Sequence, residues 1–190
     1  MPGKNNFMYW FFTASLPDLQ LESQTPPMSV EEFDGLCSGE LDRNAFAALT
    51  GFNGVVAPDF TGDRRLPGIY NAYGKFEVYL RNRIAKRRAD KAGVQLDLPD
   101  PPEYYSEFDF AAASLVSMTD PAERELAVDR LRWDFIEEQL TGKDFSFDFL
   151  CAYRLKLGIL NKYRNRKLEP GKKNFDAALE RLERESFRQE

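Results

Sequence analysis

Between Asp120 and Leu168 the apolar positions fall into two stripes separated by a short polar break. In the first, Leu126, Trp133, Ile136 and Leu140 share a face at helical spacing, with Val128, Leu131 and Phe135 beside them. After Thr141-Gly142-Lys143, Leu150, Tyr153, Leu157 and Leu160 follow at alternating three- and four-residue steps, the spacing of a helix seam. Ala152, Leu155 and Ile159 widen that seam to more than half the circumference, which predicts a helix at the centre of a bundle. Asp120 as N-cap, Pro121 at the first helical position and Glu123 as the partner in a capping box mark the start of this helical hairpin.

The rest of the chain reads in the same terms. Phe7 to Ala14 is continuously apolar and aromatic, and it suits a buried strand or a buried helix equally. Ser15 to Leu19 turns the chain at Pro17. Ser29 and Glu32 form a second capping box that opens a short helix through Val30, Phe33 and Leu36, ending near Gly39. Another short helix runs from Leu41 to Leu49, and a loop fills 51–66, where glycine, proline, asparagine and aspartate recur. A long helix is predicted from Pro67 to Ala92, with Ile69, Tyr73, Phe76, Leu80 and Ile84 on one face and Gly93 as its stop. Leu98-Pro99-Asp100-Pro101-Pro102 is a stiff linker, and helix returns over Glu103 to Ser117 with Tyr104, Phe108, Ala111, Ala112 and Leu115 inward. Beyond the hairpin, Pro170-Gly171 breaks the chain before a helix from Asn174 with Phe175, Ala178, Leu179 and Leu182 on one side. The expected fold is mainly α, a helical bundle. Residues 1–97 form an N-terminal helical region and 103–190 a C-terminal one, together one compact domain.

Composition narrows the chemistry. The 190 residues are 43% hydrophobic and 14% aromatic, enough for a sizeable core. There is no histidine, which removes imidazole acid–base catalysis, histidine-dependent triads and most transition-metal sites. Cys37 and Cys151 are far apart in the chain and indicate neither a disulfide framework nor a zinc knuckle. No signal peptide and no apolar run long enough for a bilayer is visible, so a cytoplasmic protein without direct membrane insertion is expected.

The net charge of −5 conceals alternating blocks. Lys75 to Lys91 is basic, Asp97 to Asp148 acidic, and Arg154 to Lys173 basic again. Such blocks suit an assembly component or a self-neutralising bundle, whereas a nucleic-acid binder is more often basic overall. Arg81, Arg83, Lys86, Arg87, Arg88 and Lys91 either solvate and cap the end of the long helix or dock an acidic partner, which includes the acidic block of the same chain. Asp129, Asp134, Glu137 and Glu138 are the candidates for a carboxylate site, but they alternate with Arg124, Arg130 and Arg132 on what reads as the outer, solvated side of their helix. Phe52-Asn53-Gly54 and Gly62-Asp63-Arg64-Arg65 lack the Lys-Ser or Lys-Thr of a phosphate loop and read as surface connection.

The run Tyr9-Trp10-Phe11-Phe12-Thr13-Ala14-Ser15-Leu16-Pro17-Asp18-Leu19, the segment Glu31-Glu32-Phe33, and the residues Glu123 to Trp133 and Tyr153 to Leu160 resemble an uncharacterised bacterial family encoded beside V-type (A-type) ATPase genes. The Leu-Lys-Leu-Gly-Ile-Leu of Leu155 to Leu160 is similar to the carboxyl end of the C subunit of those rotary ATPases, although this chain is much shorter than an ordinary C subunit. The resemblance implies a non-catalytic, all-helical component or accessory protein, at the inner membrane through the complex, that links or assembles rotor and stalk subunits. It implies contacts with the central stalk or membrane ring, and no cofactor, metal, nucleic acid or small-molecule substrate. The basic residues Arg81, Arg83, Arg87, Arg88, Lys162, Arg164 and Arg166 are the candidate partner contacts. A cytoplasmic adaptor or regulator unrelated to rotation is the second expectation, and a carboxylate-dependent hydrolase the third.

Overall fold

The computed structural model describes residues 6–164 apart from positions 24, 100 and 102. Seven α-helices carry the fold: α1 (Asn6–Ser15), α2 (Val30–Glu40), α3 (Arg43–Thr50), α4 (Gly68–Ala92), α5 (Asp109–Ser117), α6 (Pro121–Gln139) and α7 (Phe147–Arg164). Single 3₁₀ turns precede α2 and α5 at Leu21–Ser23 and Ser106–Phe108. Among the described residues there is no strand, so the aromatic opening is helix. The expected helix from Asn174 and the candidate contact Arg166 lie outside the described residues. No described helix is long and apolar enough to cross a membrane.

Local signals set most boundaries. At α2 the Ser29 hydroxyl accepts from Glu32 N–H at 3.1 Å while the Glu32 carboxylate accepts from Ser29 N–H at 2.6 Å, a complete capping box. Asp42 caps α3 by accepting from Asn44 and Ala45 N–H, so that helix begins at Arg43 rather than Leu41. At α6 the cap is a single bond from Ala122 N–H to Asp120, not the reciprocal box expected with Glu123. Gly93 takes a left-handed conformation (φ 67°), and its N–H and that of Val94 close the last carbonyls of α4.

α4 and α7 form the centre, and α4 is buried on more sides than its predicted stripe. The expected residues Ile69, Tyr73, Phe76, Leu80 and Ile84 are all buried, but so are Tyr70, Val78 and Tyr79. α5 packs back onto α4, while α6 and α7 cover another side. A single stripe cannot be seen when several neighbours share one helix. The Phe60 ring sits so close to Gly74 that a Cβ there would lie 2.3 Å from Cε1, so glycine sets how deeply the 51–66 loop seats. That loop is more than surface connection: Phe52 and Val56 are buried, and Phe52 packs 5.0 Å from the Tyr70 ring.

α7 behaves as its seam predicts, with Leu150, Tyr153, Leu157, Leu160, Ala152, Leu155 and Ile159 all buried. Tyr153 donates to Pro17 O at 2.9 Å, fastening the turn after α1. Tyr70 donates to Leu49 O at 2.8 Å and joins α4 to the end of α3.

Two assignments change. Leu36 is 50% exposed, and Phe33 with Cys37 supplies the buried face of α2. Tyr104 is 67% exposed because regular helix starts at Asp109, not Glu103. Tyr105 turns inward instead, edge-on to Phe76 and Phe135.

Candidate functional site

The largest departure from the sequence pattern is on α6. Asp129 and Arg132, expected on its solvated side, face inward, and Asp129 is 0% exposed. They meet Glu77 of α4, itself 5% exposed, and Lys162 and Tyr163 of α7. Arg132 forks onto Glu77, Nε donating to Oε2 at 2.8 Å and Nη2 to Oε1 at 2.7 Å, and its Nη1 donates to Asp129 at 2.8 Å. Asp129 also accepts from Lys162 at 2.7 Å and from the Tyr163 hydroxyl at 2.9 Å.

Buried charges persist only when paired and hydrogen-bonded, and here two acids alternate with two bases. Burial by itself would raise the Asp129 carboxyl, but the bonds from Lys162, Arg132 and Tyr163 outweigh it and hold it below the ordinary range. Burial likewise opposes charge on Arg132, and Glu77 and Asp129 reverse the effect, keeping the guanidinium protonated. The network fixes the register of α4 against α6 and α7. A second clamp, Arg154 on Asp34 at 2.8 and 2.9 Å and on Phe52 O at 2.5 Å, ties α7 to α2 and the loop.

The remaining acids of the expected carboxylate site go elsewhere. Glu137 accepts from Trp133 Nε1 at 2.8 Å and from Lys156 at 3.0 Å, while Asp134 and Glu138 are exposed. Among the described residues no group of acids and thiols is arranged to hold a metal ion. Burial pushes the Cys37 and Cys151 thiols up to about 12, so both stay protonated at neutral pH.

Above the network lies a cavity of about 520 Å³, walled by the first turn of α2, the 53–56 segment, α4, α6 and α7. Glu77, Arg81, Arg132 and Lys162 give it a charged floor, and Val30, Val55, Leu155 and Ile159 an apolar wall. Gly158 lies in that wall, inside α7, where glycine is a poor helix former. A Cβ at Gly158 would meet no atom within 4 Å. Gly158→Ala is therefore expected to raise stability by about 0.5–1 kcal/mol, measurable by denaturant unfolding.

The predicted partner contacts separate into two groups. Arg81 donates to Val56 O at 2.8 Å, and Arg83 pairs with Asp109 at 2.5 Å beside a Tyr79–Asp109 hydrogen bond. Both serve the chain's own packing, Arg83 against the acidic block as one reading of the charge pattern allows. Lys162 is likewise engaged by Asp129. Arg87 and Arg88 are exposed, with Lys86 beside them, and no ion pair joins any of the three to another described residue. The Arg164 backbone closes α7.

Fold and site define a mainly helical domain whose central helices are locked by buried ion pairs. The chain belongs to the family DUF2764, described as a protein of unknown function, which matches residues 74–186. That span runs from the middle of α4 through the hairpin and holds all five network residues, while α1 to α3 and the aromatic opening precede it. No curated protein and no solved structure matches the chain.

Sequence reasoning misses Glu77 and the inward turn of Asp129 and Arg132. One available signal is Glu77 itself, an acid amid Phe76, Val78, Tyr79 and Leu80, where an unpaired charge would be costly.

Proposed function

We propose that this protein is a non-catalytic helical adaptor, a component or accessory protein of a bacterial V-type ATPase that is related to the C subunit of that machine. Its basic α4 end holds other subunits of the complex. The observation that carries this reading is the division of charge on α4: Arg81 and Arg83 are engaged internally, whereas Lys86, Arg87 and Arg88 on the next turn are exposed. Cations clustered at the carboxyl end of a helix suit its dipole and present a compact target for an acidic surface. The ion pairs between the central helices support a stiff body, which an adaptor that transmits or resists force requires. The resemblance of Tyr9 to Leu19 and of Leu155 to Leu160 to proteins of the ATPase operons supplies the identity of the partner.

The test is affinity purification of the tagged chain from its native cell. Central-stalk or membrane-ring subunits are expected to co-purify with the wild type. The Arg87→Glu, Arg88→Glu double variant should lose them while its thermal unfolding stays unchanged, since neither side chain supports the fold. Recovery of a partner set without ATPase subunits would transfer the adaptor to another system. Equal recovery by wild type and variant would remove the α4 end from the interface.

A further inference from the structure

The cavity beneath the 53–56 segment has properties that helix packing alone does not require. Tyr73, on its wall, is 5% exposed as a residue, and its hydroxyl makes no hydrogen bond to a described residue but keeps access to the solvent of the cavity. The hydroxyls of the buried Tyr70, Tyr79 and Tyr153 are by contrast spent on acceptors within the chain. Gly158 is the second, independent observation. A glycine inside a helix is unfavourable relative to alanine, and no neighbour crowds this one. Its missing side chain leaves room in the cavity and serves no other contact.

Apart from the exposed carboxylate of Glu31 in the lining, the hydrogen-bonding capacity that remains inside is mainly donor capacity. Both Glu77 oxygens are held by Arg132, and Arg154 is committed to Asp34 and Phe52. Lys162, with three ammonium protons, makes one described ion pair, to Asp129, and its side chain is 41% exposed. Arg81 donates to Val56 O through Nη2 and to Glu77 O through Nε, which also lies 3.6 Å from the Glu77 carboxylate, and it keeps Nη1 on a partly exposed side chain. A ligand meeting Tyr73, Lys162 and Arg81 must bring acceptors, and negative charge suits the two cations. The valine, leucine and isoleucine side chains opposite suit an apolar body, and the volume lies in the range of small-molecule sites.

We propose that this cavity binds a small organic anion, its acidic head on Tyr73, Lys162 and Arg81 and its apolar body against Val30, Val55, Leu155 and Ile159. The ligand is held and not transformed, and the site is independent of the adaptor surface on α4.

The probe is anilinonaphthalene sulfonate, an aromatic body with one anionic head, titrated by fluorescence into the full chain. Phenylnaphthylamine, which lacks the sulfonate, is the neutral comparator. Saturable one-to-one binding of the sulfonate is expected, at least about tenfold tighter than the comparator, since a hydrogen bond to a charged group is worth that much. Tyr73→Phe removes a hydroxyl without an internal partner, so thermal stability should hold while sulfonate affinity falls about tenfold. Gly158→Leu introduces a good helix former and fills the cavity, so it should abolish binding without unfolding the chain. The proposal is overturned by absence of saturable binding, by equal affinity for the two probes, or by undiminished binding to folded Tyr73→Phe or Gly158→Leu.

Discussion

Asp129→Asn is expected to destabilise the protein by about 3 kcal/mol, the lower end of the range for removing one partner of a buried ion pair. The amide preserves shape but removes the charge that Arg132, Lys162 and Tyr163 all donate to. The lower end applies because Arg132 keeps both bonds to Glu77 and Lys162 can turn toward water. Urea unfolding at neutral pH measures the loss. A change below about 1 kcal/mol, the scale of an exposed pair, would show that the network contributes no more than surface charge.

The same substitution alters the response to acid. Because the folded Asp129 carboxyl titrates below its unfolded value, its contribution is present above an unfolded pKa of about 4 and is lost as pH falls through the folded value. Wild-type stability should therefore decline below about pH 4. The asparagine variant should decline less steeply over the same interval, keeping the acid sensitivity of Asp109 and Glu103, whose carboxyls are also depressed by their partners. Parallel curves would assign the network's stability to packing.

Phe76→Ala is expected to cost about 3–5 kcal/mol, the range for emptying a buried aromatic site. Phe76 is fully buried and stacks on Phe135 with ring centroids 4.1 Å apart and planes within 4°. Tyr105 and Phe108 meet it edge-on at 5.6 and 4.9 Å, so one ring joins α4, α6 and the entry to α5. The cavity cannot close easily, because Glu77 is pinned beside it by Arg132. Calorimetry gives the loss, and limited proteolysis should show earlier cleavage in the segment entering α5, which depends on this cluster for its seat on α4. A double-mutant cycle with Phe135→Leu should give a coupling of about 0.5–1.5 kcal/mol. Zero coupling would mean that the two rings merely share a buried space.

Elements with their own local chemistry are legible in the chain. The seam of α7 is visible because each of its apolar residues repeats at helical period, and burial follows that period. The Ser29–Glu32 box can be read because both bonds form within one turn, and the stop at Gly93 needs no distant partner. Tyr104 and Tyr105 are not separable, since adjacent aromatics exchange roles with a small shift in where a helix begins. The aromatic opening is equally ambiguous because a short apolar run carries no period.

The candidate site is legible mainly as its parts. Arg83 is visible as a cation facing either a partner or the acidic block, and folding brings Asp109 of that block to it. Asp129 and Arg132 look solvated because charges three residues apart on a helix are normally outside, and nothing within α6 says otherwise. The cavity draws its wall from segments spread between Val30 and Lys162, so no local pattern describes it.

Helix period, capping and composition are local properties, and they are enough to specify a mainly helical chain without histidine, an apolar hairpin and alternating blocks of charge. Which charges are buried, which cations stay exposed at the end of α4, and where a space remains beside Gly158 follow from how distant segments meet. A charge can enter the interior only when another segment brings its counter-charge to within hydrogen-bonding distance. Glu77 and Arg132, far apart in the chain, meet that condition through folding alone.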